Sequence, residues 1–297
     1  MNALLTIDNL CVDFISNNIA THALHNISFT VSKGEIVAVV GESGSGKSVT
    51  ALSVLQLLPC PPALYTKGKI IFHPHEEEID LLQFSQKQMQ VIRGNQIAMI
   101  FQEPMSSLNP VQTCGHQVAE AILLHKNIDR KNARAQTIEL FKQVQLPFPE
   151  KMYSRYPHEI SGGQKQRVMI AMAMSCNPQL LICDEPTTAL DVTVQKNILQ
   201  LIRNLQQKNN MGVIFISHDL GVVSEIADKI IVMYKGKIVE QAATKDLLHN
   251  PQHAYTKALL ACRPALHNKG ERLPVVSDFM KVDEAGIIIE KNVQNFK

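Results

Sequence analysis

Eight residues, Gly41-Glu42-Ser43-Gly44-Ser45-Gly46-Lys47-Ser48, constrain this chain more than any other stretch. They fit the pattern G-x-x-x-x-G-K-[ST], which works as a phosphate cradle when a strand leads in and a helix leads out. Both flanks agree. Glu35 to Val40 is a short apolar run of strand character, and Val49 to Leu58 is apolar at helical spacing with no breaker before Pro59. Gly41, Gly44 and Gly46 permit backbone angles that turn successive N–H groups toward one anion. A helix beginning near Gly46 aims its positive end at the same point. Lys47 adds a full charge for the outer phosphates, and the Ser48 hydroxyl suits Mg²⁺. Glu42, Ser43, Ser45 and Val49 complete the candidate lining of a nucleotide site.

A chain of 297 residues has room for one large domain or two modest ones around a real core. A net charge of +2 argues against a broad electrostatic footprint for nucleic acid. The six cysteines are scattered without a C-x-x-C pair, which predicts buried thiols rather than a disulfide frame or a zinc site. His73 and His75 stand beside Glu76-Glu77-Glu78 and are expected in a solvated loop rather than on a metal. No basic-then-apolar leader opens the sequence, and no apolar run reaches the ~18 residues of a membrane span.

Taken in order, Leu4 to Phe14 alternates as a strand, Asn17-Asn18 turns, and Ile27 to Val31 is a second strand. These predict an antiparallel sheet beside the nucleotide core. Phe14 is the nearest aromatic able to stack on a purine, and it equally fits a core position on the sheet face. Lys69 to Phe72 and Gln96 to Phe101 are expected as strands, with a short helix over Ser85 to Ile92 between them. After Gln102-Glu103-Pro104 the character changes. Val111 to His125 and Arg130 to Val144 are helical, an insertion within a parallel α/β core. Ser161-Gly162-Gly163-Gln164 then opens a helix to about Ser175, either as a plain N-cap or as a second anion site.

Gln179 to Cys183 is a buried strand that ends in Asp184-Glu185. Two acids at the tip of an apolar strand are costly unless a cation or hydrogen-bonding task occupies them. One of the pair suits Mg²⁺ and the other the attacking water. Asp191 precedes a helix from Val192 to about Gln207. Gly212 to Ile216 is a strand carrying Ser217-His218-Asp219 at its end, and Ile230 to Gln241 is a hairpin around Lys235-Gly236. Polar residues at several strand ends share one sheet edge, where open α/β folds bind ligands.

Assembled, these residues resemble the ATP-binding subunits of ABC transporters over roughly Leu4 to Gln241. The match comprises the phosphate loop, the glutamine loop at Gln102, the signature Ile160-Ser161-Gly162-Gly163-Gln164, Asp184-Glu185, Asp191 and the switch histidine His218. Phe101 to Pro110 is similar to the oligopeptide, dipeptide and nickel importer subgroup. Pro251-Gln252-His253-Ala254-Tyr255-Thr256 resembles that subgroup's C-terminal extension, with Ala254 where proline is usual. Ile160 replaces the usual leucine. The tail after Pro264 lacks the cysteine-bearing segment of many members, so an iron–sulfur cluster is not expected with Cys262 alone.

The resemblance implies a P-loop NTPase (RecA-like) α/β core with a flanking antiparallel β subdomain and an inserted α-helical subdomain. It divides the chain into an ATP-binding domain over 1–242, with the insertion at about 103–160, and an extension over 243–297. It further implies ATP and Mg²⁺ as cofactors, with Ser48, Gln102 and Asp184 on the metal. Glu185 would act on the water, Lys47 and His218 on the γ-phosphate, and Phe14 on the adenine. Ser161, Gly162, Gly163 and Gln164 would face the phosphate loop of a second ATP-binding domain, with Asp191 coupling the two sites. That domain would be another copy, a related chain, or the other half of a tandem protein. Remaining partners would be integral-membrane permease subunits, docked near Gln112 to Val144, and an extracytoplasmic solute-binding protein. The setting implied is peripheral, at the cytoplasmic face of the cell membrane, and the task is import of a small peptide or related solute. A soluble ABC-type ATPase on ribosomes or DNA is the competing class. It usually brings paired cassettes with a basic linker or a long coiled coil, and neither is evident here. A regulator without turnover is disfavoured by the intact Glu185 and His218.

Overall fold

Alternating apolar residues build the first sheet, and continuous apolar runs build the second. A computed structural model describes residues 3–17, 19–74, 77–102, 107–188, 190–262, 275–282 and 288–290. Strands β1 (Ala3–Ser16) and β2 (Ile19–Ser32) form a long antiparallel ribbon. Strand β3 (Ile36–Val40) leaves for the second sheet, while β4 (Ala63–Phe72) returns to pair with β1 and β5 (Ile79–Asp80) closes that edge, in the order β2-β1-β4-β5.

The second sheet takes β6 (Ile97–Ile100), β7 (Leu180–Asp184), β8 (Gly212–Ser217), β9 (Lys229–Tyr234) and β10 (Lys237–Ala243), in the order β10-β9-β3-β8-β7-β6. All its pairs are parallel except β10 with β9. All five residues of β3 are buried, as a strand covered on both faces requires. Its alternation divides the core. Ile36, Ala38 and Val40 pack toward the helical side, whereas Val37 and Val39 join Leu4, Leu5 and Ile214 between the two sheets.

Several helices start where the chain supplies a side-chain cap. Helix α1 (Lys47–Val54) follows the phosphate loop, and α2 (Gln86–Ile92) is closed by a Ser85–Gln88 capping box. Between β6 and β7 lie α3 (Cys114–His125), capped by Thr113, α4 (Arg130–Gln143), capped by Asp129, and α5 (Gly162–Ala173). Met169 and Met174 are buried there as packing. Then come α6 (Val192–Asn209), α7 (Leu220–Ile226), α8 (Thr244–His249) and α9 (Ala254–Ala261).

Three boundaries differ from expectation by four residues or more. Helix α1 stops at Val54 because Gln56 adopts a left-handed φ of 47°, with Leu57 N–H donating to Leu52 O (2.9 Å) and Gln56 N–H to Ser53 O (3.1 Å). That pair of bonds is a Schellman termination, and it falls before Pro59. Strand β2 begins at Ile19, eight residues before the apolar pattern. Its first four residues are exposed, so pairing with β1 creates that part of the strand. Strand β4 likewise begins at Ala63 rather than Lys69. The cysteines also depart from expectation. All six are free, but only Cys114 and Cys183 are buried, and Cys60 is exposed in the segment before β4.

Candidate active site

The phosphate loop joins β3 to α1 at the C-terminal edge of the parallel sheet. Gly46 is the N-cap of α1 with φ +102°, and a Cβ there would stand 2.7 Å from Leu24 Cδ2. At Gly41 (φ +152°) a Cβ would meet Met233 O at 2.2 Å, so only glycine lets the loop pass this close to β9. No side chain caps α1, which leaves its first N–H groups free to take an anion. Lys47 is buried, and its Nζ donates to the carbonyls of Gly41 (2.8 Å) and Glu42 (2.9 Å). Burial holds its pKa below the usual lysine value, against the pull of Glu185, Asp184 and Glu42. An incoming triphosphate would relieve that penalty by supplying counter-charge.

Strand β7 delivers the two acids. Asp184 is buried and accepts from Ser48 Oγ at 3.1 Å. Burial raises its pKa and nearby Glu185 adds to the rise, while the Ser48 bond and Lys47 oppose it. A buried hydroxyl–carboxylate pair with an unwelcome negative charge fits Mg²⁺, which takes one or two protein oxygens and completes its shell with phosphates and water. Among the described residues no group of three histidine, cysteine or acidic side chains suits a metal, and His75 and Glu76 lie outside the described residues.

Glu185 sits just beyond the strand at a left-handed φ of 46°, a costly angle for a residue with a Cβ. One carboxylate oxygen, Oε2, accepts from Gln102 Nε2 (3.2 Å) and Thr188 Oγ1 (2.9 Å), and His218 Nδ1 lies 3.2 Å from it. The strained turn and these three polar groups aim a single carboxylate at the loop. Gln102, expected on the metal, is bonded to Glu185 instead of to the Ser48–Asp184 pair.

A cavity of about 520 Å³ runs from Ser43, Gly44, Gly46, Lys47, Ser48 and Val49 to Gln102 and Glu185. Its far wall comprises Thr21, His22, Ala23 and His25 of β2 and the Lys235-Gly236 turn. Those residues escaped sequence reasoning because β2 has no apolar pattern there. Thr188 was legible only as a polar residue three positions past Glu185.

Known proteins match this arrangement. Residues 24–188 match the family model described as ABC transporter, and residues 239–280 match that described as oligopeptide/dipeptide transporter, C-terminal region. The chain belongs to the ABC transporter family. Among its relatives in that family, the oligopeptide transport ATP-binding protein OppD of Bacillus subtilis (strain 168) is 47% identical over 268 residues, 90% of this chain and 74% of OppD. The glutathione import ATP-binding protein GsiA of Shigella sonnei is 49% identical over 295 residues, 97% of this chain and 47% of GsiA. The chain thus spans about half the length of GsiA. A dimeric, post-hydrolysis ATP-binding cassette, MJ0796, solved with ADP and Pi, superposes with a TM-score of 0.70 at 26% identity, covering 81% of this chain and 98% of that one.

Other residues expected at an ABC site stand apart from the cavity. Ser161 caps α5, accepting from Gln164 N–H (3.3 Å), while Gln164 Oε1 accepts from Ser161 N–H (3.0 Å). Ser161 and Gly162 are exposed, and none of residues 161–164 lines the cavity. A Cβ at Gly163 would approach Val194 Cγ1 to 2.9 Å, so the signature end of α5 lies against the start of α6. Asp191 caps that helix, accepting from Val194 N–H at 2.9 Å. Phe14 is half-buried against the core between the sheets and does not line the cavity, although its cross-strand neighbour Thr21 does. The subgroup run from Phe101 to Pro110 includes Glu103 to Ser106, which lie outside the described residues, as do Ala189 and Pro264.

Proposed function

We propose that this chain is the ATP-binding and ATP-hydrolysing subunit of an ABC transporter that imports oligopeptides, dipeptides or a related small solute. The observation that carries the proposal is the Glu185 carboxylate, held by Gln102, Thr188 and His218 at the edge of the phosphate-loop cavity. Phosphoryl transfer asks mainly for positioning and neutralisation of charge. The loop N–H groups and Lys47 would hold the phosphates. Ser48 and Asp184 would hold Mg²⁺, which would supply electrostatic stabilisation of the transferring phosphoryl group, while Gln102 positions the Glu185 carboxylate. Glu185 orients or deprotonates the attacking water, and His218 reports the γ-phosphate through that carboxylate. Phe14, on β1 as the ladder partner of the cavity-lining Thr21, is the proposed purine stack.

The signature end of α5 has no phosphate partner within its own chain's cavity. In the proposed assembly a second ATP-binding domain brings its signature Ser161 to Gln164 over this loop, and Asp191 helps couple the two sites. The dimeric state of MJ0796 supports this arrangement. The importer reading leans on the C-terminal region match and on the printed roles of OppD and GsiA. Permease subunits would dock near Gln112 to Val144 at the cytoplasmic face of the membrane, with a solute-binding protein opposite. Among the described residues no helix is long and apolar enough to cross a membrane.

Glu185→Gln tests the chemistry. It should keep ATP binding, cut turnover by ~10²-fold or more, and trap paired domains in ATP. Near-normal hydrolysis would remove Glu185 from its role.

A further inference from the structure

The phosphate loop is gripped from outside by a residue that lies 213 positions downstream in the chain. Glu42 N–H donates to the hydroxyl oxygen of Tyr255 at 2.9 Å. We propose that Tyr255 is a positioning residue through which the C-terminal region holds the phosphate loop ready for nucleotide. The inference rests on the proposed nucleotide chemistry of the loop and adds a control point to it.

The contact falls where it matters. The carbonyls of Gly41 and Glu42, on either side of that N–H, are the two oxygens that hold Lys47 Nζ. Fixing this peptide fixes the resting place of the loop's one cation. A second bond, from Gly236 N–H to Ser45 O at 3.0 Å, pins the loop three residues further on. The two anchors bracket the turn and both come from beyond residue 229.

Tyr255 is itself held on several sides. It is fully buried, and its ring packs 4.4 Å from that of Tyr234 at the end of β9. His253 Nδ1 accepts from Tyr255 N–H at 3.1 Å, opening α9. The Glu240 carboxylate of β10 accepts from Gln252 N–H (2.8 Å) and His253 N–H (3.0 Å). A continuous path therefore runs from β10 through the α9 cap to the loop. The C-terminal end of α9 also faces the catalytic edge: Leu259 and the C-cap residue Cys262 line a cavity of about 860 Å³ with Glu42, Glu185 and His218. If the aromatic ring were needed only to fill space, phenylalanine would serve as well as tyrosine. The hydroxyl is what reaches the loop.

Pre-ordering a binding loop raises affinity by removing an ordering cost from the binding step. Contacts to Glu42 precede the γ-phosphate machinery, so the benefit should be common to ATP and ADP. Tyr255→Phe in the full chain is the test, read by calorimetric affinity for both Mg-nucleotides, by ATPase kinetics with the natural membrane partners, and by hydrogen exchange at the loop amides. Loss of one such bond should weaken ATP and ADP alike by about five- to tenfold, raise KM in step, change kcat by less than about twofold, and speed exchange at Glu42 to Lys47 in the nucleotide-free protein. Glu240→Gln, which loosens the α9 cap while sparing the ring, should shift affinity in the same direction by less. Unchanged affinity and exchange in Tyr255→Phe would overturn the proposal. So would a fall in kcat at constant KM, the mark of a packing role. Failure of the unmodified chain to bind nucleotide would instead sink the function proposed above.

Discussion

Two helix N-termini in this molecule have the chemistry to hold an anion, and they are finished differently. Helix α1 begins at a left-handed glycine with no side-chain cap, and its entrance opens on a cavity containing Lys47. Helix α5 begins at Ser161 with a complete capping box, exposed and remote from that cavity. The first end leaves its N–H groups without a side-chain acceptor and sets them beside Lys47, a combination that suits an anionic ligand. In the second, the capping box takes the Ser161 and Gln164 N–H groups, and its exposed hydroxyl and glycines face away from the chain's own cavity toward any partner molecule. The contrast teaches that a helix start signals folding or ligand binding according to whether its own side chains have already taken the N–H groups.

The largest expected effect breaks the first end. Lys47→Ala should lower Mg-nucleotide affinity by about 10²-fold, the scale of losing charge-assisted bonds. Equilibrium binding of ATP checks this, and normal binding would overturn the phosphate-loop assignment.

A change at the second end should act only between chains. Ser161→Asp keeps a good N-cap, so folding and single-domain nucleotide binding should stay normal. Its negative charge would meet the partner's triphosphate, and ATP-driven pairing of the Glu185→Gln background should weaken by at least about tenfold. Light scattering or sedimentation with ATP measures it. Undiminished pairing would remove the signature from the interface.

The smallest effect concerns the stored charge beside the first end. Burial raises the Asp184 pKa above that of an unfolded aspartate, so the folded chain favours its protonated form. Its stabilising contribution is therefore fully present only below the ordinary carboxylate range and is lost as pH rises through the elevated value. Asp184→Asn should raise the nucleotide-free melting temperature by about 2–4 °C near neutral pH, and the gain should vanish as pH falls through that raised pKa. Mg-dependent hydrolysis should drop in the same variant. A melting temperature that falls at neutral pH would mean that Ser48 and Lys47 already compensate the charge.

Much of the fold was legible because its signals are local. The all-apolar run of β3, the Ser85 cap of α2 and the acid pair at the end of β7 each declare themselves within a few residues. Helix α1 ended early through a Schellman turn at Gln56, a residue with no strong turn signature. The start of β2 was invisible because exposed polar residues carry no alternation, and only pairing with β1 makes them strand. The β2 wall of the cavity went unseen for the same reason. Gln102 was legible as a polar residue near the site, but the bond to Glu185 that it shares with Thr188 was not.

The sequence by itself determined the phosphate cradle, the acid pair and the order of strands and helices, since glycine angles, lysine charge and apolar period are properties of adjacent residues. Tertiary structure alone decided which oxygen of Glu185 gathers its partners, why Lys47 and Asp184 carry perturbed charges, and that Tyr255 reaches Glu42. Those outcomes depend on burial and on hydrogen bonds between residues far apart in the chain. A one-dimensional pattern carries no measure of either.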